Sequence, residues 1–398
     1  MKTKIAQLTL LTFASGSLVF AQPNRLPVDI TNTLRVGYDD NVLTTGKGSS
    51  TGKQDTFTIQ NQIEFLLDRE QNATYWGLRY APSFIYYEDR PGDSTDINHQ
   101  FDLTFSHQFT PLSRLQVRNT LRAAEEPELV EDDVTVRRRN DFFYNSLNVS
   151  YDTQVVPEKT TLRVDGRYAV MRYDDSEVSN IADYDQLVAG LNVIQQLAPN
   201  TTGGLEFRYQ ELSYENNLRD LDAIQVGATF SKIFSPTLQG DVRFGYEYRD
   251  ADNAVEQTSD SPYIDGSVVF LPAINTRLTV GAGFSKDQSP VNRFAQQERT
   301  RFYGTLAQTL TPATTLYVSG SYSLGSFDRD DATSAFNPEI HTDGDETVLR
   351  FSTRLAHRLN VKNSIEATYQ YTELDSDVRP DDDFERNRVS IAWKYSFQ

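Results

Sequence analysis

Apolar and polar positions alternate along almost the whole chain. At its end, Val389, Ile391, Trp393, Tyr395 and Phe397 alternate with Arg388, Ser390, Ala392, Lys394 and Ser396. Strand side chains point to opposite faces with a period of two, so one face here is apolar and the other polar or small. The same period appears in Leu34-Arg35-Val36-Gly37-Tyr38, in Phe57, Ile59, Ile63 and Phe65, and from about Ala73 to Tyr87. Many of the runs last about eleven residues, against about five or six in ordinary globular sheets.

The runs are joined in two ways. One set of ends carries short Pro or Asn turns, at Thr110-Pro111, Val156-Pro157, Ala198-Pro199-Asn200, Ser235-Pro236, Pro272 to Asn275, Pro312-Ala313 and Asn360 to Asn363. Proline lacks an N–H and suits the exit of a strand. The other ends are longer and acidic, at 88–96, 125–133, 174–180, 250–260, 328–345 and 375–383. A tilted strand needs about 9–11 residues to cross hydrocarbon, and a spanning sheet must close because lipid leaves no partner for an open edge. The pattern predicts an all-β fold: a closed antiparallel up-and-down transmembrane β-barrel of about 18 strands, with short periplasmic turns and long acidic extracellular loops. Thr33–Tyr38 is expected to close it against Val389–Phe397.

One face of the runs is apolar, as in Phe101, Leu103 and Phe105 or Val242 and Phe244. Tyr86, Tyr87, Tyr173, Tyr246 and Tyr248 lie just before acidic loops, where an extracellular aromatic girdle belongs. The opposite face carries the candidate lumen-lining residues Arg118, Arg163, Arg167, Arg208, Arg243, Arg350 and Arg354. Acids share that face at Asp102, Asp165, Glu206, Asp241, Glu247 and Glu366. These arginines either pair with the acids or set pore selectivity, and both readings stay open. Segments 125–133 and 328–345 are candidates to fold inward. Gly281-Ala282-Gly283 reads as small residues on the lumen side.

Lys2 and Lys4, the apolar stretch from Leu8 and the small-x-Ala site Val19-Phe20-Ala21 read as a signal peptide over 1–21. A short periplasmic lead over 22–32 and the barrel over 33–398 follow. The formal net charge of −18 argues against nucleic acid. The absence of cysteine removes disulfides and thiolate metal sites. His99, His107, His341 and His357 have no metal-ligand spacing, and Ser106 and His107 point to opposite faces of one strand. The Asp-rich loops lack the spacing of a calcium loop. No catalytic, cofactor-binding or metal-ligating residue is assigned, and an enzyme is not expected.

Leu34-Arg35-Val36-Gly37-Tyr38-Asp39-Asp40-Asn41-Val42 resembles the opening of the putative β-barrel porin 2 group, and the style of strands, turns and loops is similar over the rest. The C-terminal run, with Trp393, Tyr395 and Phe397, resembles the assembly signal of bacterial outer-membrane barrels, except that Gln398 follows the Phe. The resemblance implies an outer-membrane protein whose partners are the lipid bilayer and the barrel assembly machinery. It also implies a place beside polysaccharide export components. A channel for passive passage of hydrophilic solutes or polysaccharide is the function expected. The alternative is a structural or surface-interaction barrel with a closed lumen and acidic loops that bind ligands or cations. For the assembly signal, deleting Phe397 and Gln398 is expected to impair membrane insertion, while deleting Gln398 alone leaves it intact. Heat-modifiable migration of outer-membrane fractions reads both, and normal insertion without Phe397 would refute the signal.

Overall fold

The structure is a computed structural model that describes residues 28–46, 52–125, 130–131, 134–135, 141–216, 219–252, 257–289, 294, 296–328, 343–378 and 383–397. The expected signal peptide, most of the lead, His341 and Gln398 lie outside them. So do most of segments 125–133 and 328–345.

The chain begins with β1 (Asp29–Asp39), β2 (Thr56–Gln71), β3 (Thr74–Tyr80), β4 (Ser83–Tyr87), β5 (Thr95–Thr110) and β6 (Ser113–Ala124). A small separate hairpin, β7 (Val130–Glu131) with β8 (Val134–Thr135), follows. Next come β9 (Phe142–Val156), β10 (Thr160–Tyr173), helix α1 (Ser176–Ala182), β11 (Tyr184–Ala198), β12 (Thr201–Tyr214), β13 (Asp220–Ser235) and β14 (Leu238–Asp252). The chain ends with β15 (Gln257–Ala273), β16 (Thr276–Gln288), β17 (Gln296–Thr311), β18 (Thr314–Phe327), β19 (Gly344–Arg358), β20 (Asn363–Ser376) and β21 (Phe384–Ser396).

Nineteen of these strands form one antiparallel sheet. β3 and β4 are two halves of a single stave, interrupted at Ala81-Pro82, and both pair with β2 and β5. Proline cannot donate to the ladder, which accounts for a break that alternation alone did not reveal. The ring therefore has the 18 strands expected. Undivided staves run from 11 to 17 residues, enough to cross hydrocarbon and continue past its extracellular side.

The ring closes where β1 pairs with both β2 and β21. Leu34 faces Trp393 and Val36 faces Ile391, and Phe397 donates its N–H to Ile30 O at 3.0 Å. β1 begins at Asp29, inside the stretch expected as lead. The Asp39-Asp40-Asn41 run fastens the extracellular end of this seam. Buried Arg386 donates from Nε to both oxygens of buried Asp39 at 3.0 Å. Asn387 donates from N and Nδ2 to Asp40 at 2.6 and 2.8 Å. Asn41 donates to Asp39 Oδ1 and to Glu385 O, both at 3.0 Å.

The outer face carries Leu205, Phe57, Ile391 and Trp393, all exposed. On a soluble protein such a surface would drive association; on a barrel it is the lipid contact. At the extracellular rim, outward tyrosines donate to aspartates of neighbouring strands or loops. Tyr38 bonds Asp55 at 3.0 Å, Tyr168 bonds Asp185 at 2.8 Å, Tyr209 bonds Asp222 at 2.9 Å, and Tyr246 bonds Asp260. Tyr86 and Tyr248 are exposed, as a girdle requires. Tyr87 and Tyr173 are not girdle residues: they are buried on the inner face. One step along a strand reverses the face, and these two sit one step from outward Tyr86 and Arg172. The acidic stretch 250–260 is also mostly strand, since β14 reaches Asp252 and pairs with β15 from Gln257. Pro272 lies inside β15, and the turn there is Ile274-Asn275.

Candidate functional site: the lumen

The inner face is recognised by side chains that meet across an intervening strand, which only the concave side of a barrel brings close. Arg243 on β14 bonds Glu206 on β12, and Tyr263 on β15 donates to the same carboxylate at 2.7 Å. Glycines make room for these contacts. Glu206, Gly227, Gly245 and Tyr263 form one cross-strand row, and the tyrosine lies flat along it. A Cβ at either glycine would overlap the Tyr263 hydroxyl. The half-buried Arg243 guanidinium lies 4.9 Å from the tyrosine ring centre, completing a triad with buried Glu206 and Tyr263.

Six of the seven candidate lumen arginines lie on β10, β12, β14 and β19 in step with inward neighbours that the contacts identify, and Arg118 on β6 shares their alternation. Arg163 forks Asp152 directly opposite, at 2.6 and 2.9 Å. Arg208 approaches Asp165 at 4.0 Å across Gly190. Arg167 donates to Ser146 Oγ and Tyr144 Oη, each at 3.2 Å. Arg354 lies 4.4 Å over the Tyr317 ring. The alternation did not single out Arg79, which joins Glu64 at 2.6 Å and Asp102 at 3.0 Å. Nor did it single out Arg301, 3.7 Å from Asp265 across Gly283. Their signal was the same inward parity. Gly281 and Gly283 are inward as expected, whereas Ala282 shares the outward parity of Val280.

The lumen is not polar throughout. Toward the extracellular end of β9 and β10, Phe142, Tyr144, Ala169, Met171 and Tyr173 form a buried apolar cluster. Leu212, Tyr214, Leu221 and Ala251 continue it over β12–β14. Helix α1 covers the first cluster with Val178 and Ala182. Asp175 caps the helix, accepting from Val178 N at 3.3 Å, and Asp183 ties its end to Tyr173 N at 2.8 Å and Ser179 Oγ at 2.8 Å. The stretch 174–180, read from sequence as an acidic extracellular loop, thus supplies an inward-packed element. Arg219 stacks over Tyr214 at 4.0 Å, bringing the β12–β13 connection onto the second cluster. Both narrow the extracellular mouth.

At that rim Arg90 is buried over the Tyr87 ring, 4.0 Å from its centre, and forks buried Asp96. Glu125 lies 3.9 Å from the same guanidinium and hydrogen-bonds Asp96. Burial first, then the Asp96 hydrogen bond and charge, push the Glu125 carboxyl up to about 8, against the pull of Arg90. Asp93, Asp141, Asp174 and Asp175 surround the same hollow. Among the described residues no group of three or more His, Asp or Glu is placed to hold a metal ion.

The three described histidines face outward and are held in aromatic or hydroxyl contacts. His107 sits between Phe105 and Phe109 and pairs with Thr74 Oγ1 at 2.7 Å, His99 with Tyr80 Oη at 2.9 Å, and His357 with Thr314 Oγ1 at 2.8 Å. Ser106 faces inward and accepts from Arg114 at 2.7 Å, so it does not meet His107. Trp393, Tyr395 and Phe397 form an outward row of tilted and edge-on rings, with centres 6.0 and 5.0 Å apart.

A family model described as putative β-barrel porin 2 matches residues 31–397. No curated protein matches. The fold is similar to solved structures of Acinetobacter baumannii OccAB2 (TM-score 0.51, 12% identity, covering 93% of this chain and 98% of that one) and OccAB3 (TM-score 0.50, 12% identity, covering 93% and 99%).

The rim cluster makes stability depend on pH. Because the folded pKa of Glu125 is raised, the contribution of its proton is complete below the ordinary carboxyl value and is lost as pH rises through about 8. Thermal unfolding midpoints are expected to fall between about pH 5 and pH 9, and less steeply in Glu125→Gln. Parallel curves for the two proteins would contradict this assignment.

Proposed function

Because the chain belongs to the putative β-barrel porin 2 family, we propose that it is a passive outer-membrane channel for small hydrophilic solutes. The family is one of porins and not of enzymes. The observation that carries the reading is the closed ring of 18 strands whose inward positions hold hydrogen-bonded charges and hydroxyls. Barrels of 16–18 strands are wide enough to leave an aqueous path. Solute moves down its gradient, and no cofactor enters the scheme.

The narrowed extracellular mouth favours small solutes. α1 packs against Met171 and Tyr173, and Arg219 lies over Tyr214. A polymer would have to thread this constriction, so the polysaccharide reading implied by the family resemblance draws no support from the lumen. The closed-lumen alternative makes the opposite prediction from the channel. Purified, folded protein in planar bilayers is expected to give discrete conductance steps, and proteoliposomes are expected to swell in small sugars and not in long oligosaccharides. Inserted protein with no conductance would overturn the channel, and swelling in long oligosaccharides would return the polymer reading.

A further inference from the structure

The two sides of the lumen are charged differently. From β3 to β15 acids are interleaved with the inward arginines: Arg79 meets Glu64 and Asp102, Arg163 meets Asp152, Arg208 meets Asp165 and Arg243 meets Glu206, while Arg114 and Arg167 bond hydroxyls. Asp265 extends this balance to Arg301. The remaining wall, from β16 through β21 to β1, differs. At mid-lumen level its inward positions hold Arg277, Arg350, Arg354, Arg388, Lys394 and Arg35, and Glu366 is the acid among them. Lys394 already holds Glu366, at 3.1 Å.

Three of these cations border one hollow. Arg35, Arg277 and Arg354 line a cavity of about 480 Å3 with Ser319, Ser352 and Thr368 among the hydroxyls between them. Arg277, Ala307, Tyr317, Arg354, Thr368 and Ser390 form a single cross-strand row, and its small members leave the space into which the guanidiniums reach. Among the described residues, none of the three has an acid within ion-pairing distance. Arg354 is held from behind by the Tyr317 ring, 4.4 Å away. Arg35 spends one amino group on Gln60, at 2.9 Å, while its Nε is buried without a hydrogen-bond partner. An unmatched buried donor is costly, and a guanidinium fork fits a planar or tetrahedral oxyanion better than any other common group.

We propose that this hollow is an anion subsite of the lumen, which takes the carboxylate or phosphate group of a small hydrophilic solute between Arg35, Arg277 and Arg354. The proposal rests on the channel reading and adds a substrate class to it. A solute entering the lumen meets acids interleaved with arginines on one side and, on the other, a hollow bordered by Arg35, Arg277 and Arg354. Its anionic end is drawn to the basic wall, while hydroxyls there bind the neutral part. Glu366 also borders the hollow and attracts Arg35, but its ion pair is with Lys394, at 3.1 Å, so the three arginines leave the hollow with an excess of positive charge. The sequence overlooked Arg35 and Arg277, although both occupy alternating positions, because pairing partners lie one or two strands away and depend on register.

The test is reversal potential in planar bilayers under a KCl gradient, with added sodium acetate and sodium phosphate as probes. The wild-type channel is expected to prefer chloride over potassium, and each probe is expected to reduce the KCl current in a saturable way. Arg35→Gln/Arg277→Gln/Arg354→Gln is expected to lose about tenfold in anion preference, the lower end of what a cleft of one sign provides. It is also expected to lose the block. Arg172→Gln removes one positive charge from the outer rim, where it pairs with Asp185, and is expected to keep both properties. If the triple variant does not insert, the three single substitutions carry the test, each with a partial loss. A conducting channel without anion preference, or one whose preference survives these substitutions, overturns the subsite and leaves the channel standing. Absence of any conductance overturns both.

Discussion

In hydrocarbon every backbone N–H and C=O must be paired within the protein, and for a sheet this is possible only if its first strand meets its last. The rest of the structure depends on that seam. β1 pairs with β21 over Thr31–Asp39 and Arg388–Ser396, so the two strands contribute to one continuous outward apolar band. The extracellular end of the seam carries a buried ion pair, Asp39 with Arg386, flanked by Asp40 with Asn387. Breaking such a pair costs about 3–5 kcal/mol because one charge is left buried and alone. The Tyr-Asp-Asp-Asn run that marks the family resemblance is therefore a fastening. Its tyrosine anchors the outer rim through Asp55, and its next three residues hold β21 in register.

Once the ring is closed, its interior must satisfy the polar groups that alternation places there. The protein uses direct cross-strand pairs where partners face each other, as in Arg163 and Asp152. Elsewhere it places a glycine between partners two strands apart, as Gly190 does for Asp165 and Arg208. Gly227 and Gly245 serve the same purpose for Tyr263 and Glu206. The extracellular end follows another rule. There the inward side chains are apolar or aromatic and are covered by α1 and by Arg219. The same wall is thus wet and charged in its middle and dry near its mouth.

Much of this was legible in the chain. A period of two with Pro-marked exits identifies strands, counts them and separates lipid-facing from inward residues, because a one-residue error would place charges in lipid at a cost of about 2–4 kcal/mol each near the midplane. The candidate arginines fall on the inner face for that reason. Alternation tells which residues share a face, but not what covers that face. Tyr87 and Tyr173 were misplaced by counting aromatic residues near loops without following their parity. The inward packing of α1 was hidden because Val178 and Ala182 are too few to mark an amphipathic helix. Pro82 left the third stave looking continuous because the apolar pattern resumes beyond it. Which arginines are neutralised is a property of register between strands far apart in sequence, and no local pattern carries it.

The central claim is the closure of the ring in the observed register, since every inward and outward assignment follows from it. The chain has no cysteine, so a pair introduced at Thr33 and Lys394, which face each other across the seam, would be the only thiols present. Oxidation of Thr33→Cys/Lys394→Cys in outer membranes is expected to give an intramolecular disulfide in protein that still migrates as a folded barrel. Thr33→Cys/Ala392→Cys, two residues out of register, is expected to stay reduced under the same conditions. Efficient cross-linking of the offset pair, or none of the aligned pair in folded protein, would contradict the seam and the assignment of faces built on it.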